Sequence, residues 1–92
     1  MIVTVRFLGL LANWAGISQA AVPLPPGSRF VDLLAEIGRR WAHNMPAQMW
    51  DSERQAFIKP VTAAVEPGGA LAPQTPLSDG QTITVFLSAA GG

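Results

Sequence analysis

The residues with the most distinctive chemistry in this sequence are the last two, Gly91 and Gly92. A terminal carboxylate has a pKa of about 3.5 and is ionised at neutral pH. It is inert as an acyl donor, because attack on it would have to expel oxide. Adenylation would supply a good leaving group, and a sulfur nucleophile could then capture the acyl carbon. We therefore predict Gly92 as the reacting residue, with Gly91 beside it.

The residues before the diglycine indicate how it would reach another protein. An apolar, strand-like run from Thr82 to Leu87 is followed by the small residues Ser88, Ala89 and Ala90. Glycine has no Cβ and would fit a narrow channel. Residues 88–92 span about 16 Å when fully extended. We expect a folded domain over residues 1–87 and a flexible tail over residues 88–92.

Composition excludes several other kinds of site. The chain has 92 residues, no cysteine, one histidine and a net charge of zero, which suit one small domain. Without cysteine there is no disulfide, thiolate zinc site or catalytic thiol. The six basic residues are scattered, so we expect no nucleic-acid interface. We also predict no metal site, no membrane span, no secretory signal and a cytoplasmic location.

Hydrophobic periodicity predicts four strands. Val3, Val5 and Phe7 alternate with polar or outward residues, as expected for a strand with one buried face. The Asp79-Gly80 pair is a strong turn signal ahead of the last strand. In chain order the predicted strands are Met1–Leu8, Ala20–Leu24, Val61–Val65 and Gln81–Leu87.

One main helix is predicted after the second strand. Ser28 is the predicted N-cap, because a serine hydroxyl can accept a backbone N–H of the first helical turn. The apolar face then follows helical spacing. We expect residues 9–16 to form a connecting segment and residues 44–56 an irregular stretch or a short extra helix. The residues of the predicted apolar face are Phe30, Leu34, Ile37 and Trp41, with Leu33 beside them.

The order of these elements predicts an α+β fold of the β-grasp, or ubiquitin-like, type. One helix would pack on one face of a small mixed sheet of four to five strands, which satisfies the two-layer rule. The other face of the sheet would remain open.

Strand alternation then predicts a partner-binding face. If Val3, Val5 and Phe7 face the helix, Arg6 and Leu8 face away from it. In the last strand, Phe86 would also point outward, and neighbouring first and last strands would bring Leu8 and Phe86 onto one face. An exposed Phe beside a Leu is typical of a binding hot spot. The predicted partner-binding residues are Arg6, Leu8, Phe86, Ser88, Ala89 and Ala90.

Taken together, these features resemble the MoaD/ThiS family of ubiquitin-like sulfur carriers, and most closely the small subunit of molybdopterin synthase. The resemblance covers nearly the whole chain, and the terminal diglycine is its diagnostic mark. The segments that carry it are Val3–Gly9, Pro26–Ser28 with Val31–Leu34, Pro76–Gly80 with Thr82–Phe86, and Gly91-Gly92.

The resemblance implies partners and a mechanism. An E1-like activating enzyme would adenylate the Gly92 carboxylate with ATP, and sulfur transfer would give a Gly92 thiocarboxylate. The tail would then enter the molybdopterin synthase large subunit and donate sulfur to a pterin precursor. The family uses apolar residues on the open sheet face, where Leu8 and Phe86 match. No bound cofactor is implied, and the chain would not be a self-contained catalyst.

Two departures from the family leave alternatives open. Many molybdopterin-type members carry a Pro-Pro pair before the diglycine, whereas this chain has Leu87-Ser88-Ala89-Ala90. Residues 44–59 are also more than a thiamine-type carrier would need. The alternatives are a sulfur carrier for cysteine, a tungsten-type cofactor or thiamine, a protein modifier forming isopeptide bonds through Gly92, or a pure interaction module.

Overall fold

A mixed sheet of five strands forms one layer of the protein. The computed structural model describes residues 1–65 and 68–88. The strands of the sheet are β1 (Ile2–Phe7), β2 (Gln19–Pro23), β5 (Val61–Val65), β6 (Gly69–Ala70) and β7 (Thr82–Leu87). Their order across the sheet is β2-β1-β7-β5-β6. The other elements are α1 (Leu10–Ala15), α2 (Phe30–Trp41), a 3-10 turn (Ala42–Asn44) and the hairpin strands β3 (Trp50–Asp51) and β4 (Ala56–Phe57).

The two central strands, β1 and β7, run parallel. Their register pairs Thr4 with Thr82 and Phe7 with Val85, while β2 and β5 pair antiparallel on the outer sides. The inward residues of the central pair have no exposed surface, and they are Val3, Val5, Ile83 and Val85. This is the predicted β-grasp, with each predicted strand present to within two residues at its ends.

Helix α2 covers the inner face of the sheet. Its predicted apolar face is confirmed, since Phe30, Leu33, Leu34, Ile37 and Trp41 are all buried. The ring of Trp41 meets that of Phe7 edge-on with centroids 5.1 Å apart, a favourable aromatic geometry. The core therefore lies between α2 and the inward side chains of the sheet.

The predicted N-cap of α2 is wrong by one residue. Arg29 is the N-cap, in an extended conformation, and its N–H donates to Oδ2 of Asp32 at 2.8 Å. Ser28 instead donates its hydroxyl to the Pro25 carbonyl at 2.7 Å. The carboxylate of Asp32 at the third helical position thus satisfies the backbone N–H of the cap residue, as in a capping box.

The predicted connection over residues 9–16 contains a helix. Leu11 and Ala15 of α1 are buried against the core, which provides the apolar contacts that a helix this short needs. Gly16 ends it in the left-handed conformation, with φ of 79°, and its N–H donates to the Ala12 carbonyl.

The segment over residues 44–56 forms part of a hairpin rather than an extra helix. Trp50 is buried in it and packs edge-on against Phe57 at 5.0 Å. Gly38 on α2 leaves room for this indole, because a Cβ at that position would lie 2.9 Å from Cζ2 of Trp50. Trp50 is thus a packing residue of the core.

The Asp79-Gly80 turn joins the start of β7 to the start of β1. Oδ1 of Asp79 accepts the N–H of Ile2 at 2.8 Å, and the N–H of Gly80 donates to the Ile2 carbonyl at 2.8 Å. Gly80 has a φ of 80°, which glycine adopts without strain. These two bonds help to hold the parallel strands in register.

Replacing Asp79 with alanine should therefore weaken the fold without changing it. The exposed Ile2 N–H loses a charged acceptor, so we expect the free energy of unfolding to fall by about 1 kcal/mol, measured by urea denaturation. Asp79→Asn, which keeps an oxygen at the same place, should lose less. If the urea midpoint for unfolding of Asp79→Ala equals that of the wild-type protein, this role of Asp79 is contradicted.

Candidate functional site

The candidate site lies where β1 and β7 both end. Because these strands are parallel, their carboxyl ends reach the same edge of the sheet. The N–H of Leu8 donates to the Val85 carbonyl at 3.0 Å, which places Leu8 beside Phe86. On the other side of β7, the N–H of Ser88 donates to the Pro60 carbonyl at 2.8 Å. At Ser88 the chain therefore leaves the sheet, between the end of β1 and the start of β5.

Leu8 and Phe86 share a shallow concave surface on the open face, as predicted. Its volume is about 420 Å³, and we call it the Leu8–Phe86 patch. Leu8 is 43% exposed and Phe86 is half-buried. The patch is lined by Leu8, Ala64, Val65, Gly68, Gly69, Thr84 and Phe86. Because these residues are mostly apolar and two are glycines, a partner's side chains could approach the backbone closely.

Arg6 on β1 is the register neighbour of Thr84, one of the residues that line the patch. Arg6 is exposed, and its register neighbour on β2 is Gln19. The ion pairs among residues 1–65 and 68–88 join Glu36 to Arg39 and Arg40, and Asp51 to Arg54, so Arg6 takes part in none of them. A positive charge beside an apolar surface favours a partner with a carboxylate at the matching position.

The pKa values of Glu36 and Arg39, on the exposed face of α2, are shifted by the ion pair between them. Arg39 donates to Glu36 at 2.7 Å and lowers the pKa of that carboxyl, while the Glu36 carboxylate raises the pKa of Arg39. Among the described residues that line the Leu8–Phe86 patch, all but Thr84 are apolar and none is titratable. These side chains are suited to contact with an apolar surface of a partner.

The remaining polar and aromatic candidates do not form a second site. His43 lies in the 3-10 turn after α2, and no group of three or more His, Cys, Asp or Glu residues within residues 1–65 and 68–88 could hold a metal ion. Trp41 and Trp50 are buried in the core, and Trp14 packs against it. Within the same ranges, neither helix has the length and apolar character needed to cross a bilayer.

The predicted reactive tail falls mostly outside the described residues. Ala89, Ala90, Gly91 and Gly92 lie beyond Ser88, so their predicted roles stay predictions. The same holds for the binding roles of Arg6, Leu8, Phe86 and Ser88, for which the structure supplies positions.

No residue of α1 is among the partner-binding residues predicted from the sequence. Leu10 and Ile17, at the two ends of the α1 segment, are exposed at the same end of the sheet as Leu8. The signal was present, since Gly9 and Gly16 bracket a run with leucines at 10 and 11 and a tryptophan at 14. Glycine just after a helix is a common terminator, which is the role of Gly16 here.

Comparison with known proteins gives no match to a protein-family model and none to a curated protein sequence. Solved structures do match. SAMP1 from Haloferax volcanii superposes with a TM-score of 0.80 at 15% identity, over 100% of both chains. Small archaeal modifier protein 1 from Methanosarcina acetivorans gives 0.69 at 15% identity, over 99% of this chain and 96% of that chain.

A third structure has a higher sequence identity. It is named "putative molybdopterin converting factor, subunit 1" from Pyrococcus furiosus, with a TM-score of 0.75 at 25% identity, over 97% of this chain and 99% of that chain. The likeness extends over whole chains in each case. This protein therefore has the ubiquitin-like β-grasp fold of small modifier and MoaD-like proteins.

Proposed function

We propose that this protein is a sulfur carrier whose Gly92 carboxylate is converted to a thiocarboxylate and supplies sulfur for molybdopterin biosynthesis. The observation that carries the proposal is the position of the Leu8–Phe86 patch. Its residues Leu8 and Phe86 lie at the end of the sheet from which the chain continues, after Ser88, to Gly91-Gly92, and the patch extends from them along the open face toward the end of β5. One enzyme could therefore hold the patch and receive the diglycine at the same time.

The proposed chemistry takes place in two steps on the partner's surface. The Gly92 carboxylate attacks the α-phosphorus of ATP and releases pyrophosphate, which gives an acyl-adenylate. Hydrosulfide then attacks the acyl carbon, AMP leaves, and loss of the remaining S–H proton gives the Gly92 thiocarboxylate. This chain supplies the carboxylate and the docking surface, and the E1-like partner supplies the nucleotide site.

Molybdopterin synthesis is the proposed destination of the sulfur. The Pyrococcus furiosus protein supports this destination through its name and its 25% identity over nearly the whole chain. The β3–β4 hairpin adds structure to residues 44–59, the region that exceeds the minimal thiamine-type carrier. In this proposal the large subunit of molybdopterin synthase, or another sulfur acceptor, binds the loaded tail.

A second candidate function is protein modification through Gly92. The likeness to two small archaeal modifier proteins favours it. The acyl-adenylate would then be attacked by a lysine ε-amine, which forms an isopeptide bond and releases AMP. Lys59 is the sole lysine of this chain and precedes Pro60, the residue that binds Ser88. Conjugates between copies would therefore be confined to one site.

Thiocarboxylate formation tests the first proposal directly. The purified chain, an E1-like adenylating enzyme, ATP and sodium sulfide should give intact protein heavier by the exchange of one oxygen for sulfur. Fragmentation in the mass spectrometer should locate the exchange at Gly92.

The matched control for this experiment is the chain without Gly92, which should remain unmodified. A wild-type chain that keeps its original mass, with its terminus intact, would exclude the sulfur-carrier function. If the thiocarboxylate forms, incubation with the large subunit of molybdopterin synthase and a pterin precursor should consume it. If the thiocarboxylate persists in that incubation, molybdopterin synthesis is excluded as the destination of the sulfur, and another acceptor pathway takes its place.

Protein modification predicts a different product, which is best sought with chymotrypsin. The last basic residue is Lys59, so trypsin would leave a long remnant on a modified lysine. Cleavage after Phe86 or Leu87 would leave a short remnant that ends in Gly91-Gly92. Cells expressing the protein should contain lysines bearing this remnant if it is a modifier. If the thiocarboxylate forms and no lysine bears this remnant, protein modification is excluded and the sulfur-carrier function remains.

The docking role of the patch predicts the effect of removing Phe86. Phe86→Ala should weaken binding to the adenylating enzyme about tenfold or more, the usual effect of losing an aromatic hot spot. Calorimetric titration would measure the Kd. Thr82→Ala is the control, because Thr82 is exposed at the opposite end of β7. If the two variants bind the adenylating enzyme with equal affinity, Phe86 does not contribute to the interface.

A further inference from the structure

The exposed large apolar residues are unevenly distributed over the protein. In the part of the chain that the structure describes they are Ile2, Leu8, Leu10, Ile17, Val31 and Ile58. Leu8 belongs to the Leu8–Phe86 patch. Three of the other five lie at the end of the sheet near Ser88, and they are Leu10, Ile17 and Ile58. None of these three lines the Leu8–Phe86 patch.

Two of these residues lie on the β1 side of Ser88. The N–H of Leu11 donates to the Leu8 carbonyl at 3.2 Å, so α1 starts directly at the end of β1 and presents Leu10 there. The N–H of Phe7 donates to the Ser18 carbonyl at 2.8 Å, which brings Ile17 to the same end. Strands in a sheet are about 4.8 Å apart, so β1 lies about 5 Å and β2 about 10 Å from β7.

The third residue lies on the other side of Ser88. The N–H of Val61 donates to the Ile58 carbonyl at 3.0 Å, which folds the chain into a turn ahead of β5. Pro60, inside that turn, accepts the N–H of Ser88. Ile58 therefore lies across the exit point of the tail from Leu10 and Ile17.

The length of the tail determines how closely a partner must approach. Four residues follow Ser88, and fully extended they span about 13 Å. An enzyme that binds the Gly92 carboxyl in its active site must therefore come within that distance of Ser88. A surface that close to Ser88 also meets residues at the ends of β1 and β7 and near the start of β2. The open face alone cannot account for the whole contact.

We infer that Leu10, Ile17 and Ile58 form a docking collar around the base of the tail, which packs against an apolar rim at the mouth of the partner's tail channel. The inference rests on the proposed function, because it requires an enzyme that acts on Gly92. It holds for the sulfur carrier and for the modifier, since both begin with adenylation. The collar extends the docking surface from the open sheet face to the end of the molecule.

Two other exposed residues provide matched controls. Ile2 is 52% exposed, against 54% for Leu10, and Val31 is 41% exposed, against 42% for Ile17. Ile2 begins β1, at the opposite end of that strand from Leu8, and Val31 lies in the first turn of α2. That turn follows the end of β2 that pairs with Ile2. Each control therefore matches a collar residue in type and exposure but lies at the far end.

The test compares Leu10→Gln and Ile17→Gln with Ile2→Gln and Val31→Gln. The readout is ATP–pyrophosphate exchange by an E1-like adenylating enzyme, as a function of carrier concentration. We expect each collar variant to raise the KM about tenfold, with kcat unchanged because the diglycine is intact. Controls should stay within about twofold, as for surface substitutions away from an interface. Thermal unfolding would verify that all four are folded, and Leu10→Ala offers a milder replacement.

The possible outcomes separate this inference from the function on which it rests. If wild-type carrier supports exchange and the collar and control variants have the same KM, the collar is excluded and the proposed function stands. If wild-type carrier supports no exchange, both are excluded. A raised KM confined to Leu10→Gln and Ile17→Gln supports the collar.

Discussion

The parallel pairing of β1 with β7 is the constraint on which the rest of the structure depends. Val3, Val5, Ile83 and Val85 have no exposed surface, so a slip of one residue in either strand would turn its buried side chains toward solvent. Hydrogen bonds from the Asp79-Gly80 turn to Ile2 hold the other end of the same pair. The register of two strands at opposite ends of the sequence is thereby determined.

The features of the candidate site follow from this pairing. Parallel strands end together, so Leu8 comes beside Phe86 and the chain leaves the sheet at the same edge. Helix α2 occupies the inner face, which leaves the open face for a partner. The described lining of the Leu8–Phe86 patch consists of apolar residues and Thr84. Such a surface is suited to docking, and in the proposed reaction the partner supplies the catalytic groups.

Sequence reasoning predicted the strands and the face of α2 because both depend on local hydrophobic periodicity. The adjacency of Leu8 and Phe86 also follows from the sequence, because the first and last strands of a β-grasp are neighbours. The errors occurred where tertiary contacts outweigh local signals. Helix α1 is too short to form without the burial of Leu11 and Ala15, and a sequence does not display that burial.

Two further differences have the same kind of origin. Ser28 has the residue type of an N-cap, but the helix begins one residue later, where Asp32 can accept the Arg29 N–H. The β3–β4 hairpin depends on Trp50 packing beside Gly38 on α2, a contact between distant parts of the chain. The collar residues could not be predicted from the sequence, because they come near Ser88 only in the folded structure.

In the proposed complex, one end of this sheet docks on the partner while the tail enters it. Amide chemical-shift mapping of the labelled carrier with an E1-like adenylating enzyme would locate the contact. We expect changes at Leu8, Leu10, Phe86 and Ser88, and shifts equal to those of the free carrier at Ile2 and Val31. Changes concentrated at Ile2, Val31 and the exposed face of α2, with Leu8 and Phe86 unaffected, would contradict this mode of docking.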